Sequence, residues 1–169
     1  RALFDNLRNY LANNSLYRGK AIKLRFRDDA GEPLPMPEPE FMDIKSATPD
    51  TLLLNADLMA SVNANLFTPI SRVKDCIDNN IKVKRGVLLG GNYGTGKTLA
   101  AMVAANLAQE NGITYVYTPR ADELGDAIAF AKQYQSPACV VFCEDIDRNV
   151  TGARTVKMDD ILNILDGID

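Results

Sequence analysis

The stretch Gly91-Asn92-Tyr93-Gly94-Thr95-Gly96-Lys97-Thr98 holds the residues of this chain best suited to chemistry. Its spacing fits G-x-x-x-x-G-K-[ST]. In that pattern backbone N–H groups cradle phosphates, the lysine reaches the β/γ-phosphates and the hydroxyl binds Mg²⁺. A second candidate is Glu144-Asp145-Ile146-Asp147. Phosphoanhydride hydrolysis needs a carboxylate for Mg²⁺ and usually another to orient or deprotonate water. The two stretches together would bind a nucleoside triphosphate with Mg²⁺ and hydrolyse it. Four fixed positions match by chance in roughly one chain in two hundred of this length, so the flanking elements must decide.

Those elements fit. Val87-Leu88-Leu89-Gly90 is a short apolar run that predicts a strand entering the loop. Residues 98–108 (TLAAMVAANLA) are rich in Ala and Leu and predict a helix leaving it. The N-terminus of such a helix attracts phosphate. Residues 138–143 (ACVVFC) form a continuous apolar run, as a strand buried on both faces should. The acidic stretch follows it directly, at the carboxyl end of a strand, where α/β sheets place their ligands.

The rest of the chain supplies the supporting framework. Residues 2–13 carry Leu3, Phe4, Leu7, Tyr10 and Leu11 at helical spacing. Residues 21–27 (AIKLRFR) alternate as a strand with one exposed basic face. Residues 31–40 (GEPLPMPEPE) hold four prolines and read as an extended, semi-rigid connector. Residues 41–54 are ambiguous between strand and turn. Residues 56–67 predict a helix closed by Pro69, and residues 70–79 another, with Ile70, Val73 and Ile77 on its apolar side. Asn111-Gly112 signals a helix end before a strand at 113–118 (ITYVYT). A helix over 119–134 turns Leu124, Ile128 and Ala131 inward, and Met158, Ile161, Leu162 and Leu165 mark a final amphipathic helix. Strands alternating with helices argue for an α/β fold with a parallel sheet. The division expected is a small N-terminal element with its linker over 1–45 and a nucleotide-binding core over 46–169.

Composition narrows the function classes. The chain has 169 residues, a hydrophobic fraction of 46% and a net charge of −3, as a globular domain with no global basic field would. This argues against nucleic acid as partner and leaves no apolar run long enough for a membrane span. There is no histidine, so His-based catalysis and His metal sites are excluded. Cys76, Cys139 and Cys143 lack metal-type spacing, and Cys139 and Cys143, in one apolar run, read as buried small hydrophobes of a reducing, cytoplasmic compartment.

The stretch 137–147 (PACVVFCEDID) resembles the second nucleotide motif of the classical AAA family of AAA+ ATPases. Arg85-Gly86-Val87-Leu88-Leu89 entering the glycine loop, and residues 161–168 (ILNILDGI), are similar to the same family. The resemblance spans about residues 50–169. It implies a P-loop NTPase fold, with the AAA+ parallel sheet sandwiched by helices, and Mg²⁺-dependent ATP hydrolysis. It also implies a homo-oligomeric ring, commonly a hexamer, that remodels a protein substrate. By position in the motifs, Gly91 to Thr98 with Leu99 would bind ATP, and Thr98 and Glu144 would hold Mg²⁺. Asp145 would orient the attacking water, making Lys97, Glu144 and Asp145 the catalytic set. Thr51-Leu52-Leu53 would flank the adenine.

The chain departs from the family pattern in four places. The usual acidic order is Asp then Glu; Glu144 then Asp145 is the order found in the subfamily of the mitochondrial Rieske-protein translocase. That branch also carries a Leu-Asn-x-Leu-Asp-Gly stretch like residues 162–167. Asn92-Tyr93 stand where Pro-Pro is common. The stretch 118–125 lacks the aromatic pore residue of the family's unfoldases. Finally, the sensor strand, expected between the loop strand and the acidic-motif strand, would come after Asp169, as would the arginine fingers and the lid subdomain. Two other readings stay open: an ATP-binding scaffold or switch with little turnover, and a DNA-associated AAA+ loader.

Overall fold

The computed structural model describes residues 2–28, 30–134, 138–144 and 146. Its elements are α1 (Ala2–Asn14), β1 (Ala21–Arg27), β2 (Pro33–Phe41), α2 (Ala56–Val62), α3 (Thr68–Ser71), α4 (Val73–Asp78), α5 (Lys97–Glu110), β3 (Thr114–Thr118), α6 (Leu124–Ala131) and β4 (Cys139–Cys143). The predicted final helix lies outside the described residues, as do Asp145 and Asp147. No described helix is long and apolar enough to cross a membrane.

The fold is α/β, built on a four-stranded sheet in the order β2-β1-β3-β4. The sheet is mixed rather than parallel: β1 runs parallel to β3 and β3 to β4, but β2 pairs antiparallel with β1. β1, assigned from sequence to a small N-terminal element, is therefore an inner strand. Ala21, Ile22 and Leu24 on it are buried.

Alternation of side chains at period two gives the sheet two apolar faces. One carries Ala21 and Tyr115, with Tyr117, Val140 and Phe142, against α5 and the helices before it. The other carries Ile22, Leu24 and Val116, with Cys139 and Val141, against Ala127 and Ala131 of α6. α5 presents Ala100, Val103, Ala104 and Ala108 to the sheet, small residues that let its backbone approach closely. Its end follows the Asn111-Gly112 signal: Gly112 is left-handed at φ +70° and the Ile113 N–H donates to the Ala108 carbonyl over 2.8 Å.

Further expectations are corrected. The proline-rich stretch is the strand β2, not a connector. It occupies a sheet edge, the position where a strand short of N–H donors is tolerated. Pro69 does not close the preceding helix. Residues Asn63–Phe67 widen to π-helical spacing, the Thr68 N–H donates to the Asn63 carbonyl, and α3 continues through the proline. The wider turn moves the carbonyls that a proline ring would otherwise meet. Ile77 is exposed, while Ile70 and Val73 are buried.

Residues 87–90 form no strand, and Leu88 is 81% exposed, although Val83 and Leu89 still pack on the core. An apolar run becomes a strand only when a neighbour satisfies its N–H and C=O groups. Among the described residues β4 has β3 as its one neighbour, and its outer edge takes no partner from 87–90. For the same reason β4 is half-buried along its whole length, Cys139 and Cys143 included, instead of covered on both faces.

Leu24→Ala should lower stability by about 2–5 kcal/mol, as a fully buried leucine in a packed core does. Urea denaturation will measure it, and a loss confined to a few tenths would mean that β1 is peripheral.

Candidate functional site

The site forms where the glycine loop meets α5 and the carboxyl ends of β3 and β4. Gly96 caps α5 at φ +90° and ψ 9°, a left-handed conformation costly for any residue with a Cβ. A Cβ there would also come within 3.3 Å of Leu52 Cδ1. The first helical bond runs from the Ala100 N–H to the Gly96 carbonyl (2.8 Å), so the N–H groups before it have no intrahelical partner. Gly94 is left-handed as well, at φ +74°. These conformations turn the loop around the positive end of the helix.

Lys97 folds back over this loop. Its Nζ donates to the carbonyls of Gly91 (2.8 Å) and Asn92 (2.7 Å) and sits 5.9 Å from the Tyr93 ring centroid. The Thr95 hydroxyl donates to the Asn92 carbonyl over 2.8 Å, closing the turn. Asn92 and Tyr93 are exposed, and Leu99 packs partly buried against the core. Of the segment expected near an adenine, Leu52 is buried against the loop, while Thr51 and Leu53 are exposed.

The acidic residue arrives by strand register. Val140 and Phe142 face α5, and the same alternation carries Glu144 to that side just beyond β4. Its N–H donates to the Thr118 carbonyl over 3.3 Å, extending the β3–β4 ladder by one residue. The Thr98 hydroxyl donates to Glu144 Oε1, joining the two motifs across 46 positions of sequence. The Tyr117 hydroxyl donates to Oε2 over 2.6 Å. Glu144 is thus gripped at both oxygens.

Tyr117 is the residue that the sequence reading missed. Its ring stacks on Phe142, its partner in the β3–β4 register, at 5.8 Å and 18°. The available signal was its parity with Tyr115 in TYVYT and its place one residue before the strand end. Tyr115, deeper in the same face, is held in its phenol form above the ordinary range, first by burial and then by Tyr117 and Glu144.

These residues fit Mg²⁺ and a phosphate chain. Thr98 and Glu144 present hard oxygens, and among the described residues no three His, Cys, Asp or Glu side chains converge to cage a metal. Two hard oxygens suit an ion that binds through one or two carboxylates plus phosphates and keeps several waters. A cavity of about 220 Å³ opens beside Thr98 between α5 and the sheet, lined mostly by the apolar side chains Met42, Ala101, Met102, Tyr115, Tyr117 and Phe142; Glu144 does not line it.

On the other face of the sheet's carboxyl end, Glu123 is buried and accepts from the Thr118 hydroxyl over 3.2 Å. Burial pushes its carboxyl up, partly countered by Thr118 and Arg120. Its neighbour Asp122 moves the opposite way, held down by its hydrogen bonds from Arg120 (2.9 and 3.1 Å).

Compared with known proteins, the chain matches no family model and no solved structure.

Two outcomes follow. Gly96→Ala should cost at least about 1–2 kcal/mol in urea denaturation from its left-handed backbone alone. Gly90→Ala, at ordinary φ with open space around it, should stay within about 0.5 kcal/mol. Because the Glu123 carboxyl is raised in the folded chain, its contribution is fully favourable below the unfolded carboxylate range and declines as pH rises through the folded value. Glu123→Gln should therefore raise Tm over wild type near pH ~7–8 and converge with it below about pH 4.

Proposed function

We propose that this chain binds ATP with Mg²⁺ and hydrolyses it, as a P-loop NTPase of the AAA type. The observation carrying this reading is the Thr98–Glu144 contact: a hydroxyl at the start of the helix after the glycine loop meets the carboxylate that ends β4. Sequence spacing alone does not require the two motifs to touch. An NTPase needs them on one ion.

In this reading the loop amides from Gly94 to Thr98 bind the β- and γ-phosphates at the positive end of α5. Lys97 exchanges the carbonyls of Gly91 and Asn92 for phosphate oxygens. The ammonium already makes charge-assisted bonds to these carbonyls; a phosphate adds the opposite charge, which favours the exchange. Thr98 and Glu144 would hold Mg²⁺, which, when bound, neutralises the charge developing on the phosphates. Asp145 orients water for in-line attack and accepts its proton. An arginine from a neighbouring subunit completes the site in a ring assembly.

A second reading is an ATP-binding switch with little turnover. It is favoured by the Glu144-Asp145 order, which lengthens the Mg²⁺-side carboxylate by one carbon–carbon bond, about 1.5 Å. Misplacement near 1 Å can cost on the order of a hundredfold in rate.

ATP affinity and steady-state hydrolysis of wild type, Lys97→Ala and Asp145→Asn separate these readings. The ATPase reading expects turnover that falls at least about a hundredfold in Asp145→Asn with ATP affinity retained. Lys97→Ala should lose ATP affinity. Wild-type binding with turnover no higher than Asp145→Asn selects the switch, and absence of ATP binding removes both.

A further inference from the structure

Glu144 stands where a shorter carboxylate is usual in the resembling family, and its longer side chain has an extra rotatable bond to restrain. The restraint visible here comes from β3. Tyr117 and Glu144 lie on the same side of the sheet at its carboxyl end, and the phenol O–H reaches Oε2 over 2.6 Å. The phenol ring is itself fixed by its stack on Phe142. With Oε2 held from the sheet side, Oε1 is left facing the Thr98 hydroxyl and the glycine loop. A carboxylate shortened by one carbon could not touch Thr98 and Tyr117 from the same backbone position, since each contact is already at hydrogen-bonding distance.

We propose that Tyr117 is a positioning residue for Glu144. By occupying Oε2 it selects the rotamer that presents Oε1 to the ion-binding side, so that Glu serves where Asp would otherwise be needed. The proposal rests on the Mg²⁺–ATP reading above and adds a residue outside both sequence motifs. In this role Tyr117 acts through Glu144.

The test uses the whole chain and a fluorescent ATP analogue, titrated with Mg²⁺ after a metal-free measurement in EDTA. Tyr117→Phe keeps the ring and its stack and removes only the hydroxyl. Metal-free affinity should stay within about twofold of wild type. The Mg²⁺ concentration for half-maximal tightening should rise about tenfold, the size expected of a hydrogen bond to a charged group. In a Glu144→Asp background the same substitution should shift the Mg²⁺ curve by less than about twofold, because the shorter carboxylate leaves Tyr117 nothing to hold.

Thermal melts of all four proteins check folding, and the cycle reads coupling that a general packing role would not produce. A Mg²⁺ curve for Tyr117→Phe superimposed on wild type overturns the proposal and leaves the ATP reading standing. So does an equal shift in both backgrounds. Wild type that binds the analogue no better than Lys97→Ala, or without any Mg²⁺ effect, overturns the ATP reading and this proposal with it.

Discussion

The hydrogen bond between Thr98 and Glu144 depends on where a helix begins and on which side of a sheet a strand residue falls. α5 starts at Lys97 because Gly96 takes a left-handed turn immediately before it, which places Thr98 in the first turn. Glu144 faces α5 because β3 and β4 pair in parallel register, Tyr117 opposite Phe142, with side chains alternating across the sheet. A slip of one residue in that register would send the carboxylate to the α6 face and empty the site. The rest of the molecule serves to hold the helix start and the strand end in this relation.

The core supports that relation from both faces of the sheet. The small side chains of α5 lie against β1 and β3, and the aromatic pair Tyr117–Phe142 borders the cavity between the helix start and the sheet. On the opposite face α6 covers Ile22, Leu24 and Val116. β3, at the centre, is buried along both faces, whereas β1 buries Ala21, Ile22 and Leu24 and leaves the Lys23–Arg25 side of its length partly open. The antiparallel β2 closes one edge, and its prolines leave few donors for another chain to pair with.

The carboxyl end of the sheet also sorts charge by face. Glu144 on the α5 side is held by two hydroxyls. Glu123, reached from Thr118 on the other side, is buried with its charge disfavoured, and Asp122 beside it is satisfied by Arg120. The carboxylates at this end of the sheet thus differ in what holds them: hydroxyls on one face, burial and a guanidinium on the other.

The sequence by itself determined the local features. The glycine spacing announced a loop, the Ala-rich run a helix, Asn111-Gly112 its end, and ITYVYT and ACVVFC two strands. Each of these depends on backbone preference or periodicity within a few residues. Tertiary structure decided what depends on partners distant in the chain. It moved residues 21–27 into the centre of the sheet and made a strand of the proline-rich stretch by giving it an edge. It left residues 87–90 unpaired despite their strand-like composition, and it let a helix run through Pro69 by widening the preceding turn. It also placed Tyr117 against Glu144, a contact set by the pairing of two strands whose residues meet across 27 positions. No local pattern encodes such a meeting, because register is a property of the sheet and not of either strand alone.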